Sequence, residues 1–283
     1  MCQLCYARTS PWMPRRGFLA LAGVAATQSA LAQVDVGPPS KARSLVPAEE
    51  IEAAAAQQYS QMLAQAKQQG ALAPDNYPQL QRLRYIASRL IPQSLRWNDR
   101  AKSWRWEVNL LGSKEINAFC MPGGKIAVYT GLLDQLKLTD DECAMVVGHE
   151  IGHAVREHAR SRVAKEQGTG TLLQLGAQLF GLGQLGDVAA NIGTQLITLR
   201  FSREDETEAD LVGLEMGARA GYNPQGAVTL WEKMGQASGG SQGPAFLSTH
   251  PSGADRLARL RDNIPKVMGL YQQAVANSPP VKH

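Results

Sequence analysis

The stretch Gly148-His149-Glu150-Ile151-Gly152-His153-Ala154 constrains this chain more than any other. It contains the pattern H-E-x-x-H, and the residues around it specify a helix. Thr139 followed three residues later by Glu142 is a capping box, and Asp140 and Asp141 fall in the first turn, where the helix dipole favours negative charge. Cys143, Ala144, Met145, Val146 and Val147 are apolar on every face, as in a helix buried in a core. Positions i and i+4 of a helix lie one above the other. His149 and His153 can therefore offer two imidazoles to one metal ion, with Glu150 beside them as a general base. Zinc is the metal that two imidazoles and a carboxylate suit. A chance match is the weaker reading, because unpaired imidazoles and a carboxylate inside an apolar helix would be costly.

The chain has 283 residues, 44% of them hydrophobic, enough to bury a sizeable core in one large domain. A net charge of +4 with no basic run interleaved with aromatics gives no sign of nucleic-acid binding. No run reaches about 18 continuous apolar residues, which argues against a helical membrane span. Residues 1–32 read as an export signal: Arg15-Arg16-Gly17-Phe18-Leu19, an Ala/Leu/Gly-rich stretch, then Ala30-Leu31-Ala32 as a small-residue cleavage pattern. The paired arginines resemble a twin-arginine signal, with a Sec-type signal the alternative and Met13 a candidate start. On that reading the C-x-x-C of Cys2 and Cys5 leaves with the signal, and the mature chain is periplasmic. Cys120 and Cys143 remain; they could pair in an oxidising compartment, but cysteine is also among the most buried unpaired residues, and the unpaired state is the stronger expectation.

Residues 33–46 hold Gly37-Pro38-Pro39-Ser40 and read as a linker. One helix is expected over 47–69 and another over 78–90, ended by Pro92. Residues 103–111, 115–120 and 125–130 read as three strands of a small sheet, the last two separated by Met121-Pro122-Gly123-Gly124. After the metal helix Arg156, Glu157, His158, Arg160 and Arg162 continue it as a polar stretch. His158, about 140° round from His153, falls off the metal face. A surface histidine, or one touching a ligand from behind, suits it better than a ligand. Residues 167–198 are rich in Gly, Leu, Ala and Gln; a docked apolar helical hairpin is the stronger reading, and a flap touching a membrane through 171–198 the other. The metal-bearing domain is expected over 47–275, mainly α in an α+β fold, with a disordered tail over 276–283.

A catalytic zinc site takes three protein ligands and keeps one position open. The next acidic helix reads Ser202-Arg203-Glu204-Asp205-Glu206-Thr207-Glu208-Ala209-Asp210. Glu206 and Asp210 share a face, so one can bind metal while the other accepts a hydrogen bond from a ligand imidazole. Glu204, Asp205 and Glu208 read as solvent or cap charges. Spacing alone leaves an ordinary solvated acidic turn as an equal competitor.

Four blocks in order resolve this: Asn117-Ala118-Phe119-Cys120-Met121-Pro122-Gly123-Gly124, His149-Glu150-Ile151-Gly152-His153, Glu206-Thr207-Glu208-Ala209-Asp210 and Ser248-Thr249-His250-Pro251. Over about residues 75 to 265 the chain resembles the gluzincin metallopeptidases that include HtpX and the CAAX prenyl proteases, and most of all their soluble, exported, BepA-like branch. The resemblance implies a gluzincin-type domain with a small sheet beside the H-E-x-x-H helix. It also implies that one zinc ion is held by His149, His153 and Glu206, that Glu150 is the base and that Asp210 orients a ligand. Asn117, Ala118 and Phe119 then lie on an edge strand that holds extended polypeptide, which main-chain pairing does without demanding a sequence. His250 would lie near the metal, either stabilising an oxyanion or filling the open position and holding the enzyme latent. Arg256 would orient substrate or that loop. The implied function is zinc endopeptidase action on unfolded or misassembled envelope proteins. The competing class is a zinc-stabilised binding protein with little hydrolysis, which an intact Glu150 disfavours.

Overall fold

Glycine and alanine set how closely the two central helices approach. The computed structural model describes residues 34–168, 196, 199–238, 244–251, 253 and 255–277. The expected signal, the tail from 278 and, apart from Leu196, the stretch from 169 to 198 lie outside them. The described elements run α1 (Ala48–Gln68), α2 (Pro78–Ser94), β1 (Glu107–Leu111), β2 (Ala118–Met121), β3 (Lys125–Tyr129), α3 (Thr130–Leu136), α4 (Asp140–Val155), α5 (His158–Gly168), α6 (Arg203–Arg219), α7 (Gln225–Ala237), α8 (Phe246–Thr249) and α9 (Arg256–Ala276). The fold is α+β and mainly helical, as expected. Among the described helices none is long and apolar enough to cross a membrane.

Helix α4 starts where its capping box places it: Thr139 accepts from the Glu142 amide, and Glu142 accepts from the Thr139 amide. Every residue from Glu142 to Val155 is buried. Helix α6 starts the same way, with Ser202 and Asp205 reciprocally bonded. The two helices pack along small residues. A Cβ at Gly148 would lie 3.1 Å from the Gly213 carbonyl oxygen, one at Gly152 3.0 Å from that of Ala209, and one at Gly213 2.7 Å from the His149 amide nitrogen. Larger side chains on this seam would separate the helices and the histidines from the acidic residues.

The sheet has the order β1-β3-β2. Strands β1 and β3 are parallel, Glu107 opposite Lys125 and Leu111 opposite Tyr129, while β2 runs antiparallel to β3, Ala118 opposite Val128. Alternation divides the central strand: Ile126 and Val128 join the core shared with α2 and α4, and Ala127 faces the smaller core under α1. The Tyr59 hydroxyl of α1 donates to the Ile126 carbonyl at 2.5 Å and ties that helix to the sheet. Gly123 and Gly124, with φ near 80° and 77°, make the tight turn from β2 to β3.

Three expectations need correction. Strand β1 is shorter than its pattern, because Trp104 and Trp106 pair with each other at 5.3 Å and send their N–H groups to Glu52 and the Ala101 carbonyl, and β2 covers only Ala118–Met121. Helix α2 continues through Pro92 to Ser94; the carbonyl that loses its donor is that of Ser88, on the exposed face where water can serve it. Helix α4 ends at Val155, and Glu157 at φ 58° turns the chain so that α5 begins at His158. The helical angle assumed for His158 therefore does not apply.

Residues 34–46, read above as a linker, are laid against the domain. Val34 is buried in the main core, its amide donates to Glu215 at 2.5 Å, and Lys41–Leu45 forms a 3-10 turn capped by Ser40. Cys120 and Cys143 are both free and buried. Burial pushes the Cys143 thiol up to about 12, held back in part by Arg82.

Candidate metal centre

Helices α4 and α6 and the loop after α8 meet at one buried cluster: His149, His153, Glu206 and His250 each place a donor atom within 4.8 Å of the others. The two imidazole Nε2 atoms of His149 and His153 are 3.1 Å apart. Glu206 lies 3.5 Å from His149 Nε2 and 3.3 Å from His153 Nε2. His250 Nδ1 lies 3.0 Å from Glu206 Oε1 and 3.4 Å from His149 Nε2.

Those separations test whether a metal ion fits. Four donors each about 2.0–2.1 Å from a tetrahedral zinc would be about 3.3 Å from one another. The distances found scatter around that value. Two ring nitrogens 3.1 Å apart need a proton on one of them or a cation between them, and Glu206 Oε2 is buried with the Arg256 guanidinium at 3.1 Å and no hydrogen bond of good geometry. The donor set is chemically that of a borderline divalent metal.

Behind the donors lies a second ring of charge. Asp210 Oδ1 is 3.0 Å from His149 Nδ1, so it accepts that proton and leaves Nε2 free to face the cluster. Arg256, 2% exposed, spans the two acidic residues, 2.6 Å from Asp210 and 3.1 Å from Glu206, with its guanidinium carbon 3.2 Å from the centre of the Trp231 ring. Phe201 stacks on His153 at 4.0 Å and Phe246 on His250 at 4.2 Å. Burial works to raise both acidic residues, but Arg256 and His149 outweigh it at Asp210, and His153 and His250 outweigh it at Glu206; both carboxyls titrate below their ordinary values.

Glu150 behaves in the opposite way. It is 2% exposed, and burial raises its pKa above that of an ordinary glutamate against the pull of His250 and His149. Its Oε1 makes no hydrogen bond; His250 Nε2 lies 3.5 Å away. Glu150 opens on a pocket lined by Asn117, Ala118, Phe119, Cys120 and His250. β2, at one edge of the sheet, forms a wall of that pocket. A carboxylate with an unengaged oxygen beside a metal-type donor set and a strand edge can accept a proton there.

Of the residues singled out from sequence, His149, Glu150, His153, Glu206, Asp210 and His250 come together, and Asn117, Ala118 and Phe119 line the adjoining pocket. Arg256 meets the carboxylates of the centre from behind rather than the pocket. Two residues had no signal strong enough to be singled out as part of the centre. His158 is buried with Nδ1 2.9 Å from His153 Nδ1, and Glu208, read as a solvent or cap charge, takes His158 Nε2 at 3.2 Å and Arg156 Nε at 2.7 Å. The left-handed turn at Glu157 that brings His158 back is not encoded in any helical period.

An H-E-x-x-H helix whose donor set is completed from the next acidic helix defines a metallopeptidase. The model of peptidase family M48 matches residues 79–264, well over half of the chain, and the chain belongs to that family. It is similar to the mitochondrial metalloendopeptidase OMA1 of Arabidopsis thaliana, 43% identical over 151 residues that cover 53% of this chain and 30% of that protein. Metalloprotease LoiP of Escherichia coli is 34% identical over 158 residues, 54% of this chain and 60% of LoiP. The beta-barrel assembly-enhancing protease of the same bacterium is 29% identical over 176 residues, 58% of this chain and 36% of that protein. The chain thus spans between 30% and 60% of the length of these relatives. The relationship agrees with the resemblance carried by the four motif blocks.

Proposed function

We propose that the chain is an exported zinc metalloendopeptidase that hydrolyses peptide bonds in unfolded or misassembled envelope proteins. The observation that carries this reading is the convergence of His149, His153 and Glu206 beside a buried Glu150 whose Oε1 has no hydrogen bond. His149 Nε2, His153 Nε2 and a Glu206 carboxylate oxygen would hold the zinc. When bound, that ion supplies Lewis acidity, polarising a carbonyl and making a water easier to deprotonate.

The chain's own residues do the rest. Glu150 takes a proton from the attacking water on Oε1, which has no hydrogen bond of its own, and passes it to the departing amine. The edge of β2 holds the substrate extended by main-chain pairing, which suits unfolded polypeptide of many sequences. His250 occupies the remaining corner of the donor set, where it holds the enzyme latent until its loop moves. Export to the periplasm rests on the charged, apolar and small-residue order of residues 1–32, and the relation to LoiP and the beta-barrel assembly-enhancing protease is in keeping with envelope substrates.

The test is casein cleavage by wild type, Glu150→Gln and His250→Ala, with zinc content measured for each. Cleavage lost in Glu150→Gln at unchanged zinc, and raised in His250→Ala, is the expected result. Full activity of Glu150→Gln would sink the mechanism. Zinc bound with no cleavage by wild type or by His250→Ala would instead favour the binding-protein class.

A further inference from the structure

His149 Nδ1 meets a carboxylate, whereas His153 Nδ1 meets the imidazole of His158, whose further partners reach residues 36 and 37. For Nε2 of His153 to face His149 and Glu206 with a free lone pair, the ring proton must sit on Nδ1. That atom is 2.9 Å from His158 Nδ1, so His158 accepts there and carries its own proton on Nε2. Nε2 of His158 in turn faces Glu208 Oε2 at 3.2 Å. Each tautomer is set by the next partner. His149 meets its carboxylate directly, Asp210 at 3.0 Å, whereas His153 meets Glu208 one imidazole further away.

Beyond Glu208 stands Arg156. Its Nε donates to the same Glu208 oxygen at 2.7 Å, and its Nη2 donates to the carbonyls of Val36 at 3.2 Å and Gly37 at 3.0 Å. That segment is fixed at its start by the Val34 amide on Glu215 and by burial of Val34 in the core. The left-handed Glu157 that allows all this is itself held by Arg43 at 2.6 Å and Arg160 at 2.7 Å.

We propose that His158 and Glu208 are positioning residues that fix His153 in its metal-binding tautomer, braced through Arg156 by residues 34–37. The inference rests on the zinc reading of the site and concerns the retention of that ion. A partner that accepts from a ligand imidazole's second nitrogen is worth about 10–100-fold in metal affinity. The seating of residues 34–37 is then coupled to the grip of a metal ligand.

The experiment is the zinc dissociation constant of the full chain, measured by competition with a chromophoric chelator, alongside the thermal midpoint of each metal-free form. His158→Phe keeps the ring bulk and removes both polar atoms; His158→Gln restores an acceptor and a donor at similar spacing. Zinc affinity about 10–100-fold weaker in the Phe variant and within about threefold of wild type in the Gln variant is expected. Arg156→Met should weaken it in the same direction by a smaller factor. Equal affinity of wild type and His158→Phe overturns the proposal, as does an equal loss in the Phe and Gln variants, which would mark His158 as packing alone. Unchanged affinity in Arg156→Met overturns the brace. Should His158→Phe not fold, Glu208→Leu, which removes the acceptor, decides, weaker binding supporting the relay and unchanged binding overturning it. Wild type that binds no zinc fails differently, since it removes the metal reading beneath the proposal.

Discussion

Arg256 carries an unusual electrostatic burden for one side chain. It is buried between Asp210 and Glu206, both negatively charged, and presses against the face of Trp231. Deleting one partner of a buried ion pair leaves an uncompensated charge, at a cost of about 3–5 kcal/mol. Arg256→Met is therefore expected to destabilise the metal-free protein by about that amount, read as a lower urea midpoint. An unchanged midpoint would mean that water, not the guanidinium, compensates the two carboxylates. The motif residues of this centre were legible because H-E-x-x-H and E-x-x-x-D are local patterns on single helices. Arg256 was given to substrate or to the His250 loop, because sequence cannot tell which side of a centre a distant cation approaches. Glu208 was misread as a solvent or cap charge, and His158, read as a surface histidine or one behind a ligand, is the latter; the two lie 50 residues apart in the chain, and one left-handed residue brings them together.

At the scale of elements, the centre depends on how near α4 and α6 come. The capping boxes made both helix starts readable from sequence, Thr139 with Glu142 and Ser202 with Asp205. The seam between them was not, because Gly148, Gly152 and Gly213 look like helix weakeners until their partner is known. Gly213 is the tightest of these, with the His149 amide 2.7 Å from where a Cβ would stand. Backbone on both sides cannot rotate away as a side chain could. Gly213→Ala should therefore cost about 1–3 kcal/mol from overpacking, although alanine is the better helix former. The shift should also move Glu206 and Asp210 relative to His149, so zinc affinity falls together with the thermal midpoint. A variant more stable than wild type would show that the helices have slack, and that helix propensity alone governs the position. The sheet was legible in number of strands and in its turn, but each tryptophan of the 103–106 stretch chose a partner outside the ladder, which shortened β1.

For the molecule as a whole, the proposed ion is a cross-link. Its donors come from α4, from α6 and from the loop carrying His250, and Arg256 at the start of α9 completes the shell from a fourth element. Remove the ion and the cluster becomes a set of imidazoles and carboxylates facing one another in a buried space, with Arg256 as the remaining fixed cation among the described residues of the cluster. A ligand bound only by the folded state stabilises it by about 4.1 kcal/mol at a free concentration of 1,000 times its dissociation constant. For a chain of this size each kcal/mol moves the thermal midpoint by about 2–4 °C. Stripping the metal with a chelator is therefore expected to lower the midpoint by roughly 8–16 °C, and adding zinc back should restore it. Glu150→Gln should show the same drop, since Glu150 lies outside the donor set and its loss leaves the cross-link in place. His153→Ala should begin near the stripped midpoint and respond little to chelator. Identical midpoints for loaded and stripped wild type would mean that the helices hold their places without the ion, and that the seam of small residues alone sets the geometry of the centre.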